Sequence, residues 1–201
     1  SIAAAVWGAA DRGRDAGRTH QVVSAVEHSA VRLWAERAGG VTVVPVDGHG
    51  RVDPDAVFDA ITPTTAAVHV QWGNHEVGTV QPVAQVVAGC RERGVLVHVD
   101  AAQAVGRVAV AFDELGADLL SVSGHKFGGP TGTGALLVRR GLRIAPLLLG
   151  GDQERARRAG LEPVAALVGL GAAAEVLAAG ALEHETAEAV ALTDRIRVGM
   201  G

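Results

Sequence analysis

The chain has 201 residues, 48% of them hydrophobic and 3% aromatic, with a formal charge of −4. That length and apolar content can bury a substantial core in one domain or slightly more, whereas the charge and the scarcity of aromatic rings exclude the basic footprint and stacking platform of a nucleic-acid binder. A single cysteine, Cys90, excludes an intrachain disulfide framework and fits a reducing compartment.

The chain opens with Ser-Ile-Ala-Ala-Ala-Val-Trp-Gly inside an amphipathic helical pattern, without initiator Met, basic leader or cleavage signature, and it stops at Val198-Gly-Met-Gly201. Truncation at both ends is therefore expected. No apolar stretch is expected to reach membrane-spanning length, so the expected location is cytoplasmic, with no membrane partner. Short β-branched runs at 21–24, 41–46, 66–71, 95–100, 118–122 and 134–139 predict strands. Helical patterns fall between them at 28–38, 53–60 and 82–93. Asp53 caps the second of these with Pro54 at its first position, and Gly94 ends the third.

This alternation predicts an α/β fold with a mainly parallel central sheet and helices on both faces. Such sheets bind ligands beyond the carboxyl ends of their strands. Polar residues gather at those ends: Glu27-His28 after the first strand, 72–78 after the third, 100–103 after the fourth and 123–126 after the fifth. From Leu161 the pattern becomes an Ala- and Leu-rich helix interrupted by Gly169, Gly171 and Gly180, with Gly150-Gly151 as a joint. The expected organisation is a ligand-binding domain over 1–149 and a helical connector over 150–201. No internal repeat or low-complexity linker is present.

Lys126 lies in Ser121-Val-Ser-Gly-His-Lys-Phe-Gly-Gly-Pro-Thr-Gly-Thr-Gly134. A lysine framed by hydroxyls, an imidazole and glycines suits Schiff-base chemistry on a phosphorylated aldehyde cofactor, pyridoxal 5'-phosphate (PLP). Surface lysines at turns are commoner in general, but Ser123, His125 and the glycine run favour the chemical reading. Asp100 ends the run Val-Leu-Val-His-Val and shares a strand face with His98. Its carboxylate suits the nitrogen of a pyridine ring, and equally suits capping of 101–105.

Ser123, His125 and the 128–134 loop offer donors to a phosphate, although a glycine loop alone also serves any tight strand connection. His28 could lie over an aromatic ring or simply cap a helix. Gln103 and His75 are ambiguous loop groups. Neither a Walker loop nor a Gly-x-Gly-x-x-Gly fingerprint is present. A second chemistry stays open, a metal-dependent hydrolase built on His98, Asp100, His125 and His28, although no His-x-x-x-His or cysteine cluster completes a ligand set. No metal is the preferred expectation. Cys90, within 82–93, is expected to be a packed structural thiol.

Taken together, the segments Val26-Glu-His-Ser-Ala-Val31, Gly73-Asn-His-Glu-Val-Gly-Thr-Val-Gln-Pro82, His98-Val-Asp-Ala-Ala-Gln-Ala-Val-Gly106, Ser123-Gly-His-Lys126 and Gly150-Gly-Asp-Gln-Glu-Arg155 resemble, in order and spacing, the cysteine desulfurases. These belong to the class V aminotransferase group of fold-type I PLP enzymes. The resemblance covers nearly the whole chain. It implies that Lys126 carries the cofactor and moves the substrate Cα proton, Asp100 pairs with the pyridine nitrogen, and His28 stacks on the ring. It also implies that Gln103 reaches the phenolic oxygen, Ser123 and His125 bind phosphate, and Asn74 and His75 contact the cofactor.

The implied reaction converts L-cysteine to L-alanine, with sulfur passed to an enzyme cysteine as a persulfide. A homodimer, a sulfur-acceptor protein and a part in iron-sulfur cluster assembly are implied with it. His75 stands where the family often has asparagine, and Leu161 stands where it has a phosphate-binding threonine. The family's amino-terminal segment and its carboxyl-terminal small domain with a mobile cysteine loop lie outside this sequence, so the piece alone is expected to be inactive. Another class V aminotransferase or lyase, or a non-catalytic relative, is the alternative. Arg155 and Arg158 are candidate carboxylate clamps or solvated helix-start residues.

Overall fold

A computed structural model describes residues 1–199. The strands β1 (His20–Ser24), β2 (Val41–Val44), β3 (Thr65–Gln71), β4 (Leu96–Asp100), β5 (Leu119–Ser123) and β6 (Gly134–Val138) form one sheet. Their spatial order is β2-β1-β3-β4-β5-β6. The first five are parallel and β6 runs antiparallel to β5. Predicted and observed bounds agree within two residues, the widest gap being at β2. There the chain leaves the ladder after Val44, and Val46 makes an isolated bridge to Val52.

The helices α1 (Ile2–Gly13), α2 (Ser29–Ala38), α3 (Pro54–Asp59) and α4 (Val83–Glu92) cover the two faces. Asp53 caps α3 as its sequence predicts, its Oδ1 accepting the Asp55 amide at 3.0 Å. Gly94, at φ +64°, follows α4 in the left-handed conformation that releases the chain into β4. On one face Val22, Val68, Val97, Val99 and Leu120 pack with Val86, Val87 and Cys90. Each such valine contributes about 1.5–3 kcal/mol by leaving water. On the other face the small residues Ala5, Ala9 and Ala10 let α1 lie close against Val23, Ala67 and Leu119.

The α1 face also carries polar groups. Side chains alternate along a strand and register partners in parallel strands share a face. The pairings His69↔His98, Gln71↔Asp100 and Asp100↔Ser121 therefore bring these residues into one stripe. All of them are buried. The chain passes from β1 outward to β2 and then back across to β3, so β1 and β3 flank the switch point at which doubly wound sheets open a crevice.

A short α5 (Phe112–Leu115) precedes β5, and α6 (Gln153–Ala156), α7 (Val164–Val176) and α8 (Leu182–Gly199) follow the sheet. Of the three glycines expected to interrupt the last helical region, only Gly180 has a non-helical backbone, at φ +98° in the turn Leu177–Ala181. Gly169 remains helical, and a Cβ there would lie 2.7 Å from the Pro130 ring. The expectation that no apolar stretch reaches spanning length is corrected here. Val164–Gly199 is a 36-residue helical stretch, kinked at Gly180, whose most apolar window has a mean hydropathy of 1.9, sufficient by length and composition. Two of the glycines read as breaks are accommodated within it. Helices apolar all round also occur in the interiors of large proteins.

Candidate active site

Four strand ends converge on a cleft of about 380 Å³. From the end of β1 comes His28, the residue that caps α2: its Nδ1 accepts the Ala30 amide at 3.1 Å, leaving Nε2 free. The capping reading therefore holds, and the same residue lines the cleft. His75, from the loop after β3, lies beside it with ring centroids 6.1 Å apart and planes at 52°.

Asp100 closes β4 and is only 6% exposed. Its Oδ1 accepts the Ala102 amide at 3.0 Å, and no other donor among the described residues reaches the carboxylate. Burial raises its pKa above the ordinary aspartate value, opposed by that hydrogen bond and by the nearby charges of His28, the Ser1 amino group and Lys126. Gln103, on the turn that Asp100 caps, lines the same cleft.

At the end of β5 the chain turns tightly through Gly124–Lys126. The turn depends on Gly124, where a Cβ would collide with Thr133 Oγ1. The Arg107 guanidinium donates to the Lys126 carbonyl at 3.3 Å, and Ser123 Oγ and His125 Nδ1 are 3.2 Å apart. Ser123, His125 and Lys126 all line the cleft opposite Asp100. An amine, a carboxylate with a free oxygen, an amide, a hydroxyl and imidazoles therefore face one small volume. That set can hold an anionic heteroaromatic ring and move a proton beside it.

Asn74 is the exception among the expected cofactor contacts. Its Oδ1 accepts the Glu76 and Val77 amides at 2.9 and 3.0 Å and its Nδ2 donates to the Val26 carbonyl at 3.5 Å. It does not line the cleft but pins the loop that carries His75. Leu161 is 87% exposed and away from the cleft. Cys90 is fully buried, and burial pushes its thiol up to about 12, as a packed structural thiol requires. The metal-hydrolase grouping does not form: His98 is bonded on both ring nitrogens, to His69 and Ser121, and the described residues contain no cluster of three or more metal-ligating side chains.

Three residues to which the sequence assigned no role shape the site. Gln71 and Ser121 line the cleft floor. Their strand alternation relative to Asp100 was the available signal. Glu27 is buried, and its Oε1 accepts the Ser24 hydroxyl at 2.6 Å and the Gln71 amide at 2.7 Å, while Oε2 has no partner. Burial pushes its carboxyl up to about 8, so it is mostly protonated at neutral pH. Together with the 2.6 Å bond from Gln71 Nε2 to the Val26 carbonyl, it ties the loop bearing His28 to β3.

The family model described as aminotransferase class-V matches residues 1–200. A cysteine desulfurase of Gluconacetobacter diazotrophicus is 46% identical over 190 residues, covering 92% of this chain and 47% of that protein. A solved NifS-like protein superposes with a TM-score of 0.86 at 32% identity, covering 99% of this chain and 55% of that one. A structure described as SspA in complex with cysteine gives 0.81 at 35% identity, covering 87% and 52%. The chain thus spans about half the length of the relatives it matches.

Proposed function

Since the chain belongs to the class-V aminotransferase family, we propose that its cleft holds pyridoxal phosphate and that the protein containing it is a cysteine desulfurase acting as a homodimer. The observation that carries this reading is the meeting of Lys126 and Asp100 in one cleft of about 380 Å³, within the range of small-ligand sites. The donor set fits the group: among the described residues Asp100 has an oxygen and His28 an Nε2 with no hydrogen-bond partner, and Ser123 and His125 lie together at a turn rich in backbone amides.

When bound, pyridoxal phosphate supplies an electron-withdrawing ring that stabilises negative charge at the substrate Cα. Lys126 would hold the group by its amine and move the proton at that Cα. Asp100 would keep a proton on the ring nitrogen by its charge. His28 would hold the ring, Gln103 and His75 would hydrogen-bond its phenolic oxygen, and Ser123 and His125 would hold the phosphate. Overall, L-cysteine and an acceptor thiol give L-alanine and a persulfide: the Cβ–S bond breaks, an S–S bond forms, and a proton takes the place of sulfur on carbon. Cys90, buried with an elevated pKa, is not that acceptor. The sulfur then passes to an acceptor protein, consistent with a role in iron-sulfur cluster assembly.

The test is to add pyridoxal phosphate to the wild-type chain and to Lys126→Ala. A visible band that stays with the protein on desalting, and that borohydride then abolishes, is expected for the wild type only. Equal behaviour of the two would overturn the assignment of Lys126. In the protein that contains the chain, L-cysteine should yield equal amounts of alanine and acceptor-bound sulfur.

A further inference from the structure

A line of buried polar side chains crosses four strands under α1 and ends at the cleft floor. Gln21 Nε2 donates to the Thr19 carbonyl at 3.0 Å, so the amide must turn its Oε1 toward His69. His69 Nε2 lies 2.6 Å from that oxygen and therefore carries hydrogen. The Nδ1 atoms of His69 and His98 are 3.1 Å apart, a contact that needs a proton on one of them. Burial holds both rings neutral, with no carboxylate bonded to either. A neutral His69 protonated on Nε2 can only accept on Nδ1, so His98 carries its proton on Nδ1. His98 Nε2 must then accept, and Ser121 Oγ, 2.8 Å away, must donate to it. Every link follows from the Thr19 carbonyl.

The Ser121 hydroxyl proton is thereby directed away from the cleft it lines. Asp100, the register partner of Ser121, keeps the Ala102 amide as its only protein donor among the described residues. We propose that Gln21, His69 and His98 are positioning residues: their one-way chain fixes the Ser121 hydroxyl as a donor to His98, so that it offers the cleft no proton, and reserves the Asp100 carboxylate for a cationic ring N–H of the ligand. The identity of that ring rests on the cofactor reading above, whereas the polarity of the chain does not.

Imidazole nitrogen NMR on the chain without cofactor tests the polarity. The expected result is His69 protonated on Nε2 and His98 on Nδ1; a proton on Nε2 of His98, or an imidazolium at either ring near neutral pH, would overturn the proposal. Carboxyl carbon NMR then follows Asp100, whose charged or ionisable neighbours His28, the Ser1 amino group, Lys126 and Glu27 stay unchanged in every variant. Ser121→Ala should leave the Asp100 midpoint where it was, because no donor is lost. A rise would mean that Ser121 donates to Asp100, contrary to the proposal. Gln21→Leu removes the anchor, so the chain can reverse and the freed hydroxyl can bond Asp100, lowering its midpoint by about half a pH unit or more. An unchanged midpoint with unchanged tautomers would show that Gln21 sets nothing. If Gln21→Leu does not fold, the wild-type tautomers and Ser121→Ala still decide. Since no cofactor is present, failure here is distinguishable from failure to bind pyridoxal phosphate.

Discussion

Ser24 donates its hydroxyl to Glu27 at 2.6 Å, and the acid that receives it has a second oxygen with no hydrogen-bond partner among the described residues. Ordinary carboxylates near pH 7 are charged, but this one is held by burial with a pKa of about 8 against a usual 4.5. Between those values the folded chain keeps a proton that the unfolded chain releases, so Glu27's contribution is complete below about pH 4.5 and is lost as pH rises toward 8. Glu27→Gln removes the titration while keeping the shape. Urea unfolding should show the variant more stable than wild type near pH 8 by about 2–4 kcal/mol, with the difference shrinking toward pH 5. A difference independent of pH would mean that Glu27 is ionised in the fold.

The His69–His98 pair works in the opposite sense. His69 is pushed down to about 3 from 6.5, so the fold excludes a proton that the unfolded chain takes up, and stability falls as pH drops through that interval. Between about pH 4.5 and 6.5 the two slopes oppose each other. The Glu27 comparison is therefore made between variant and wild type, not from wild type alone.

Strand positions, the cap at Asp53 and the convergence of His28, Asp100, Gln103 and Lys126 were legible from the sequence, because each depends on local pattern: β-branched runs, a capping residue before Pro54, polar groups at strand ends. The Gln21–His69–His98–Ser121 line was not. It depends on register between strands far apart in sequence, and nothing in Val-His-Val announces that one histidine meets another across a ladder. Asn74 was misplaced for a related reason: a loop amide can face a ligand or its own backbone, and here two amide donors two and three residues on claim its oxygen. The continuity of α7 through Gly169 and Gly171 escaped the sequence because glycine costs a helix only about 1 kcal/mol relative to alanine, and the Ala and Leu residues around both glycines are strong helix formers.

Gly89 provides a test of packing against propensity. In mid-helix, Gly→Ala should favour α4 by about 0.5–1 kcal/mol. A Cβ at Gly89, however, would collide with the Phe58 ring, whose position is also fixed by the Arg93 guanidinium 4.3 Å from its centroid. Overpacking of this kind costs about 1–3 kcal/mol and outweighs the helix gain. Gly89→Ala should therefore lower the urea midpoint, and Gly89→Ala with Phe58→Leu should recover part of the loss. A stabilised single variant would mean that α3 can move away freely.

Asp100→Asn separates holding the ring from activating it. The substitution keeps the size of the side chain and an oxygen to accept the Ala102 amide, so the cleft should keep its shape and pyridoxal phosphate should still give a borohydride-sensitive visible band. On the proposed cofactor reading, what is lost is the negative charge that would favour a proton on the ring nitrogen, and with it the ring's capacity to stabilise charge at Cα. Each factor of ten in rate corresponds to about 1.4 kcal/mol of barrier, and an ionic hydrogen bond is worth about 1.5–3 kcal/mol. Alanine formation from L-cysteine by the protein containing this chain should then fall by about 10- to 100-fold, chiefly in kcat, with KM little changed. A variant that loses the visible band altogether would make Asp100 a binding group, and one that keeps full turnover would remove it from the reaction.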